Sequence, residues 1–458
     1  MLCPHCDEII DSGASICPVC GKHTGAGKSS PPKKKSSKII AVVVLAAAVA
    51  LMAVIMITGG LGMAPDMGTD SDKNVYRASY GVGTVPTTVD MVSGYGIDVT
   101  FLPGTGGGED IFRFELNNRH AYGFFQWTVR DMDHSAYDTY TRDTATGDFT
   151  RLVTKHNDQL TYKFVKYEGR VIASGTMSVA SVAAAPGRYA VSVDCYKSES
   201  DFNNRTKSWT YDAEFVCNGV LVKDYKWKYS LDPSKKKTEK SFELKFSYFY
   251  DDYADYRDSK SNPRRPVVGN ESLFVKYAVV DDRIAGLSDT LSMIYKLAYG
   301  ENAPLDGQNY ADFLLAFVQI NYAYPPNNAS QNGDTVLYGA VDYYAYPLET
   351  VHRGTGDCED TSILLASLYK SSGFKTALGI VPGHAIAGVA VRGTFTYIMS
   401  DSDAAKSGIT AEYGAMQPGN GLTYYACETT PSNHMPLGYL MKNDIADLKD
   451  VHRFYPVP

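Results

Sequence analysis

From Ile39 to Thr58 the chain runs through Ile, Val, Leu, Ala and Met without one charged side chain. At about 1.5 Å per residue such a run covers roughly the 30 Å hydrocarbon core of a bilayer. A surface helix of a globular domain keeps a polar stripe, and this run has none. A cleaved signal sequence has a shorter apolar region and would not follow another candidate folded unit. Lys33, Lys34, Lys35 and Lys38 precede the run, and Asp66, Asp70 and Asp72 follow it. The expectation is a single transmembrane helix over residues 39–60, with the N-terminus cytoplasmic and everything beyond about residue 60 extracytoplasmic. The protein is thus expected in the cell membrane as a single-pass protein, with the lipid bilayer as one of its partners.

The cysteines divide along the same line. Cys3, Cys6, Cys17 and Cys20 form two Cys-Pro-x-Cys knuckles before the apolar run, whereas Cys195, Cys217, Cys358 and Cys427 are scattered after it. Paired knuckles supply four thiolates for a closed tetrahedral Zn2+ site, so residues 1–24 read as a small structural zinc ribbon. A segment that short has no core of its own and needs the metal to fold. A cytoplasmic protein partner is the natural use of such a ribbon. Residues 25–38, rich in Gly, Ser, Pro and Lys, read as a linker, and residues 61–80 as another. The net charge of -7 argues against a general nucleic-acid binder.

Between residues 81 and 222 the dominant signal has period two. Tyr189, Val191, Val193 and Cys195 alternate with Ala190, Ser192, Asp194 and Tyr196, and Tyr211, Ala213, Phe215 and Cys217 repeat the pattern. Alternation with one apolar face denotes half-buried antiparallel strands, and several short runs in succession denote a β-sandwich. Both cysteines fall on the apolar face, so either a Cys195–Cys217 disulfide or two buried thiols would fit. The 34 tyrosines against 3 tryptophans suit a Tyr-rich β fold.

The chemistry concentrates further on. Cys358 stands in a Gly-rich loop, Gly354 to Asp357, that tips into an apolar-periodic helix ending near Ser372 and Gly373. A helix N-terminus offers unpaired N–H groups and partial positive charge, which favour a thiolate nucleophile. Glu359 and Asp360 in the same turn oppose a thiolate, so His384 is expected to offset them as imidazolium. His384 follows Pro382 and Gly383 at the start of an apolar strand, and Glu428 lies on a strand expected from Leu422 to Thr430, sharing a face with Leu422, Tyr424 and Ala426. Nucleophile, base and orienting acid then follow in chain order. Asp401 and Asp403 are the alternatives for the acid, and His352 and His434 for the base. Cys427 is expected to face away from Glu428, while Asp357 and Asp360 read as loop scaffolding.

Five blocks in this region resemble the transglutaminase-like superfamily, most of all its archaeal membrane-anchored members. They are Phe317 to Tyr322, Tyr346 to Thr350, Gly356 to Asp360, Pro382 to His384, and Glu428 to Thr430. The resemblance covers about Phe313 to Gly438. It implies an α+β papain-like, transglutaminase-like catalytic domain over residues 223–458, with its core at about 305–440 and an N-terminal extension. It also implies a Cys358–His384–Glu428 triad, although the wider superfamily usually has an aspartate soon after the histidine. Gln319, upstream on a helix, would then join the backbone N–H of Cys358 as an oxyanion donor. No cofactor is expected for catalysis.

The fold expected is multidomain: a zinc ribbon, one transmembrane helix, a β-sandwich and the catalytic domain. The activity expected is amide or peptide hydrolysis through a thioester acyl-enzyme, on a peptide or protein substrate outside the membrane. Transglutamination, cleavage of cell-wall crosslinks and a non-catalytic envelope-binding module are the alternatives.

Overall fold

The computed structural model describes residues 63–70, 74–117, 122–133, 171–175, 179–232, 238–257, 271–325, 343–381, 383–399, 420–441 and 453–458, with shorter pieces between them. The chain divides into two units, Met1–Gly60 and Leu61–Pro458. The four ribbon cysteines and the apolar run 39–60 lie outside the described residues. So do Asp401 and Asp403.

The second unit opens with β1 (Met63–Asp70) and β2 (Val75–Gly81), an antiparallel pair. The stretch expected as a linker therefore carries two strands. Eight strands follow as an excursion: β3 (Thr88–Gly94), β4 (Ile97–Leu102), β5 (Ile111–Leu116), β6 (Phe124–Asp131), β7 (Val171–Gly175), β8 (Val179–Ala183), β9 (Gly187–Tyr196) and, after the short helix α1 (Glu199–Asn203), β10 (Trp209–Asn218). They form two sheets, in the orders β3-β10-β9-β6-β7 and β4-β5-β8. Phe112, Phe114, Trp127, Val191, Val193 and Phe215 fill the core of this sandwich. The inward faces of β9 and β10 are the ones their alternation indicates.

The chain then returns through β11 (Val220–Tyr229) and β12 (Lys240–Phe249) to complete the first sheet, in the order β1-β2-β12-β11. β12 lies parallel to β2, with Val75 opposite Ser241 and Tyr80 opposite Phe246. The sandwich is thus an insertion within the sheet of the following domain rather than a domain ahead of it. Asp133, just past β6, ties the two parts together. Its carboxylate accepts from Arg188 N and Tyr250 Oη, and its carbonyl accepts from Arg353.

A Cys195–Cys217 disulfide does not form. On the β9–β10 ladder Cys195 lies opposite Trp209, whereas Cys217 lies opposite Gly187 at the far end. The two sulfurs are free, buried thiols separated by most of a strand's length. Burial pushes both up to about 12.

The rest of this unit adds α2 (Tyr250–Arg257), α3 (Asp282–Tyr299), α4 (Gln308–Asn321), α5 (Pro347–Arg353) and α6 (Cys358–Ser371). Its second sheet comprises β13 (Lys375–Val381), β14 (His384–Ala390), β16 (Ala415–Met416), β17 (Tyr424–Cys427) and β19 (Arg453–Pro456), in the order β16-β17-β14-β13-β19. Between these lie the short strands β15 (Ile409–Thr410) and β18 (Leu440–Met441), which pair with each other. Helix α6 is buried along nearly its whole length, from Cys358 to Tyr369. A helix apolar on so many sides belongs at the centre of a domain. Its core neighbours include Leu287, Leu291, Phe313, Phe317 and Leu378.

Among the described residues no helix is long and apolar enough to cross a membrane. The described fold is mostly sheet, and the longest helix, α3, carries buried Ile284, Leu287 and Leu291 on one face and charged Asp282, Arg283 and Lys296 elsewhere. The expected fold class, which counted a transmembrane helix among its elements, is corrected on that finding.

The final strand closes this second sheet through two glycines. A Cβ at Gly388 would stand 2.3 Å from Phe454 Cε1, and one at Gly379 would stand 2.3 Å from Phe454 Cε2. The Phe454 ring therefore lies on a floor that only glycine leaves open. Gly388→Ala is expected to destabilise the protein by about 1–3 kcal/mol through overpacking. An unchanged urea midpoint would show that the ring moves aside without penalty.

Candidate active site

Three elements build the site: the α5–α6 loop, the start of β14, and the end of β17. Helix α5 ends at Gly354, whose φ of 71° places it in the left-handed region that glycine adopts freely. Two residues on, a Cβ at Gly356 would approach Asp360 Cβ to 2.7 Å, so the loop folds back onto α6 only with glycine there. Asp357 caps the helix by accepting from Asp360 N. Asp360 in turn accepts from Ala345 N at 2.8 Å and Tyr338 Oη at 3.0 Å. Both aspartates, together with Asp334, are buried, and their oxygens lie within 4.8 Å of one another. Burial and the neighbouring carboxylates push Asp357 and Asp360 well above the usual carboxylate range. Asp357 is held by the first turn of α6 and Asp360 by the segment before α5, which makes them anchors for the turn that presents Cys358.

Cys358, the first residue of α6, is buried. Its Sγ donates to Glu359 Oε2 at 2.8 Å, and the N–H of Ala385 on β14 is directed at the sulfur. Burial, then the charges of Glu359 and Asp357, hold this thiol well above its ordinary value, while the Ala385 N–H acts weakly the other way. This corrects the expectation of a resting thiolate. The favourable helix terminus is outweighed by desolvation and two adjacent carboxylates.

Ala385 is the residue after His384, so the cysteine sulfur and the histidine belong to one corner of the molecule. His384 Nε2 lies 2.7 Å from Glu428 Oε2. The carboxylate of Glu428 is fully buried, and its Oε1 accepts from Thr430 N at 3.0 Å and Thr430 Oγ1 at 2.7 Å. Burial alone would raise the Glu428 carboxyl; the hydrogen bond and charge of His384, with the two Thr430 donors, hold it below the usual range. β17 brings Glu428 here by pairing with β14, Cys427 opposite Ala387. Cys427 is buried against Tyr369 Oη at 3.5 Å, away from this pair.

Gln319 does not serve as an oxyanion donor. Its amide nitrogen donates to the carbonyls of Glu428 at 2.6 Å and Met435 at 3.1 Å, and its Oε1 accepts from Met435 N. Both amide hydrogens are engaged, so Gln319 fixes the strand end that carries Glu428. Among the rival histidines, His352 stacks on Tyr253 with centroids 3.7 Å apart and bonds Tyr248 Oη through Nδ1. His434 lies 3.2 Å from Asp312 Oδ2. Neither belongs to the Cys358 corner. Sequence reasoning passed over Thr429, whose hydroxyl meets Thr361 Oγ1 at 2.8 Å and ties α6 to the strand that ends in Glu428. It also passed over Glu359 as a partner of the thiol, although its place next to Cys358 was the available signal.

No family profile and no curated protein matches the chain. Among solved structures, a provisionally assigned cysteine protease from Cytophaga hutchinsonii aligns over 72% of this chain and 88% of its own, at 13% identity and a TM-score of 0.17. A likeness at that score is weak and carries no argument; the functional reading rests on the site itself.

Proposed function

We propose that this protein is a thiol amidohydrolase of the transglutaminase-like type, acting on a peptide or protein amide. The observation that carries the reading is the buried His384–Glu428 pair at 2.7 Å, with the next residue's N–H directed at Cys358 Sγ. Glu428 accepts from Nε2–H and so fixes the tautomer in which Nδ1 is the basic nitrogen. Nδ1 takes the thiol proton as sulfur attacks the substrate carbonyl. The oxyanion that forms is met by the backbone N–H of Cys358 at the start of α6, where first-turn N–H groups have no intrahelical acceptor. The imidazolium, steadied by Glu428, then protonates the departing amine and leaves a thioester. Water, activated by the same imidazole, hydrolyses it and returns the thiol. An amine arriving in place of water would give transamidation through the same thioester.

The test is digestion of a mixed peptide library by the purified protein, read by mass spectrometry, with Cys358→Ala alongside. Cleavage by the native chain alone supports the proposal. Cleavage that survives in Cys358→Ala, or none by either protein, rejects it.

A further inference from the structure

Three carboxylates surround Cys358, and two are engaged elsewhere. Asp357 caps α6 and Asp360 holds Ala345 N and Tyr338 Oη. Glu359 differs: it is half-buried, and its hydrogen-bond partner among the described residues is the thiol of Cys358, at 2.8 Å. No ion pair joins it to a lysine or arginine among those residues. A carboxylate in that position accepts a proton-bearing sulfur and repels a thiolate.

We infer that Glu359 is a positioning residue that parks Cys358 as a neutral thiol, so that the resting protein is armed only when the thiol swings from Glu359 to His384. The inference rests on the proposed amide chemistry for its purpose, but its geometry is independent of any substrate. On arming, the S–H···O bond to Glu359 breaks and the sulfur proton passes to His384 Nδ1. The sulfur lone pair then forms the bond to the substrate carbonyl carbon. Glu359 itself neither gains nor loses a proton. The charged groups that act on the sulfur are Glu359 of α6 and Asp357 at its cap; Asp360 and Asp334 adjoin Asp357, and His384, paired with Glu428, precedes the Ala385 whose N–H faces the sulfur. Removing the Glu359 charge should therefore release the thiol without dismantling the histidine–carboxylate pair. A neutral parked thiol would also be less exposed to oxidation and adventitious alkylation than a standing thiolate.

The test is the pH dependence of Cys358 alkylation by iodoacetamide in the full chain, compared with Glu359→Gln and His384→Ala. The native rate should climb only on the alkaline side of an ordinary thiol. In Glu359→Gln the midpoint should fall by about one unit, which makes alkylation near neutral pH about tenfold faster. A second reading needs no variant at position 359: the difference in thiolate absorbance near 240 nm between the native chain and Cys358→Ser should vanish at neutral pH. A superimposable alkylation curve for Glu359→Gln, or a thiolate band in the native protein at neutral pH, would overturn the inference. Because neither measurement uses a substrate, the two proposals fail separately. A shifted curve in a protein that cleaves no peptide rejects the amidase reading and keeps this one; cleavage with an unshifted curve does the reverse.

Discussion

His384→Ala is expected to lower kcat/KM by about 10²–10⁴-fold, the range general acid–base groups contribute. The loss should fall mainly on kcat. A thiol held protonated by burial and by Glu359 cannot attack until its proton has an acceptor, and in the proposed mechanism that acceptor is His384. Glu428→Gln is expected to lose activity on a similar scale, because a carboxamide can present either face to Nε2 and no longer selects the productive tautomer. Cys427→Ser should leave turnover nearly unchanged, since its sulfur packs against Tyr369. Steady-state kinetics on variants with native circular dichroism would check all three. Retention of more than about a tenth of native activity in His384→Ala would be irreconcilable with general-base catalysis of this size.

Glu428 also makes a prediction about stability. Its folded carboxyl is held below the usual range, so the stabilisation is fully present above the unfolded value of about 4.3 and is lost as pH falls through the folded one. The native protein should therefore lose stability on acidification below about pH 4 more steeply than Glu428→Gln, by urea titration at stepped pH.

Local patterning disclosed the sandwich because each strand's alternation is set by its own two faces. It could not disclose that β2 and β12 are neighbours, since their pairing joins Val75 to Ser241 across the inserted sandwich. Parallel partners need a crossover of at least about a dozen residues but set no upper limit on it, and nothing in VYRASYG states which strand will sit beside it. The same blindness left a disulfide and two buried thiols equally open: two cysteines on the same apolar face of paired strands look close until the register sets them at opposite ends.

In the site, the legible part was what a helix terminus announces. A Gly-rich loop, a capping Asp and a cysteine before an apolar run point to one geometry, and the structure has them that way. Glu428 was preferred over Asp401 and Asp403 on the resemblance of Glu428 to Thr430, and it meets His384 directly. Gln319 was misread because a polar residue on an apolar helix signals a need for hydrogen bonds without naming the partner. Here the partners are the backbones of Glu428 and Met435. The state of the thiol was misread for a related reason. The helix terminus and His384 were weighed against Glu359 and Asp360, but the desolvation of a buried sulfur, the largest influence, belongs to packing and has no sequence motif.

Glu349→Ala is expected to destabilise the protein by about 3 kcal/mol, the lower end of what breaking a buried ion pair costs. Glu349 lies almost wholly out of solvent on α5, and its two oxygens gather four donors. Arg264 Nη2 reaches Oε2 at 2.5 Å and Tyr346 N reaches it at 2.8 Å, while Tyr343 Oη meets Oε1 at 2.7 Å and Arg257 Nη1 lies 3.4 Å from it. Truncation takes this acceptor from all four, and among the described residues leaves Arg264 Nη2 only the Tyr256 carbonyl and Arg257 Nη1 only Tyr343 Oη. The guanidinium side chains are 35% and 25% exposed, so water recovers part of the loss, which is why the lower end applies. Glu349→Gln keeps an oxygen for Tyr346 N but gives up the charge, and should fall between the native protein and Glu349→Ala. The consequence reaches the nucleophile, because α5 runs through Gly354 directly into the loop that presents Cys358. Loss of its anchor should therefore lower kcat in the folded fraction as well as the urea midpoint. A Glu349→Ala protein within about 0.5 kcal/mol of native, the range of an inconsequential surface change, would mean the two arginines find other partners and the cluster is not what fixes the loop.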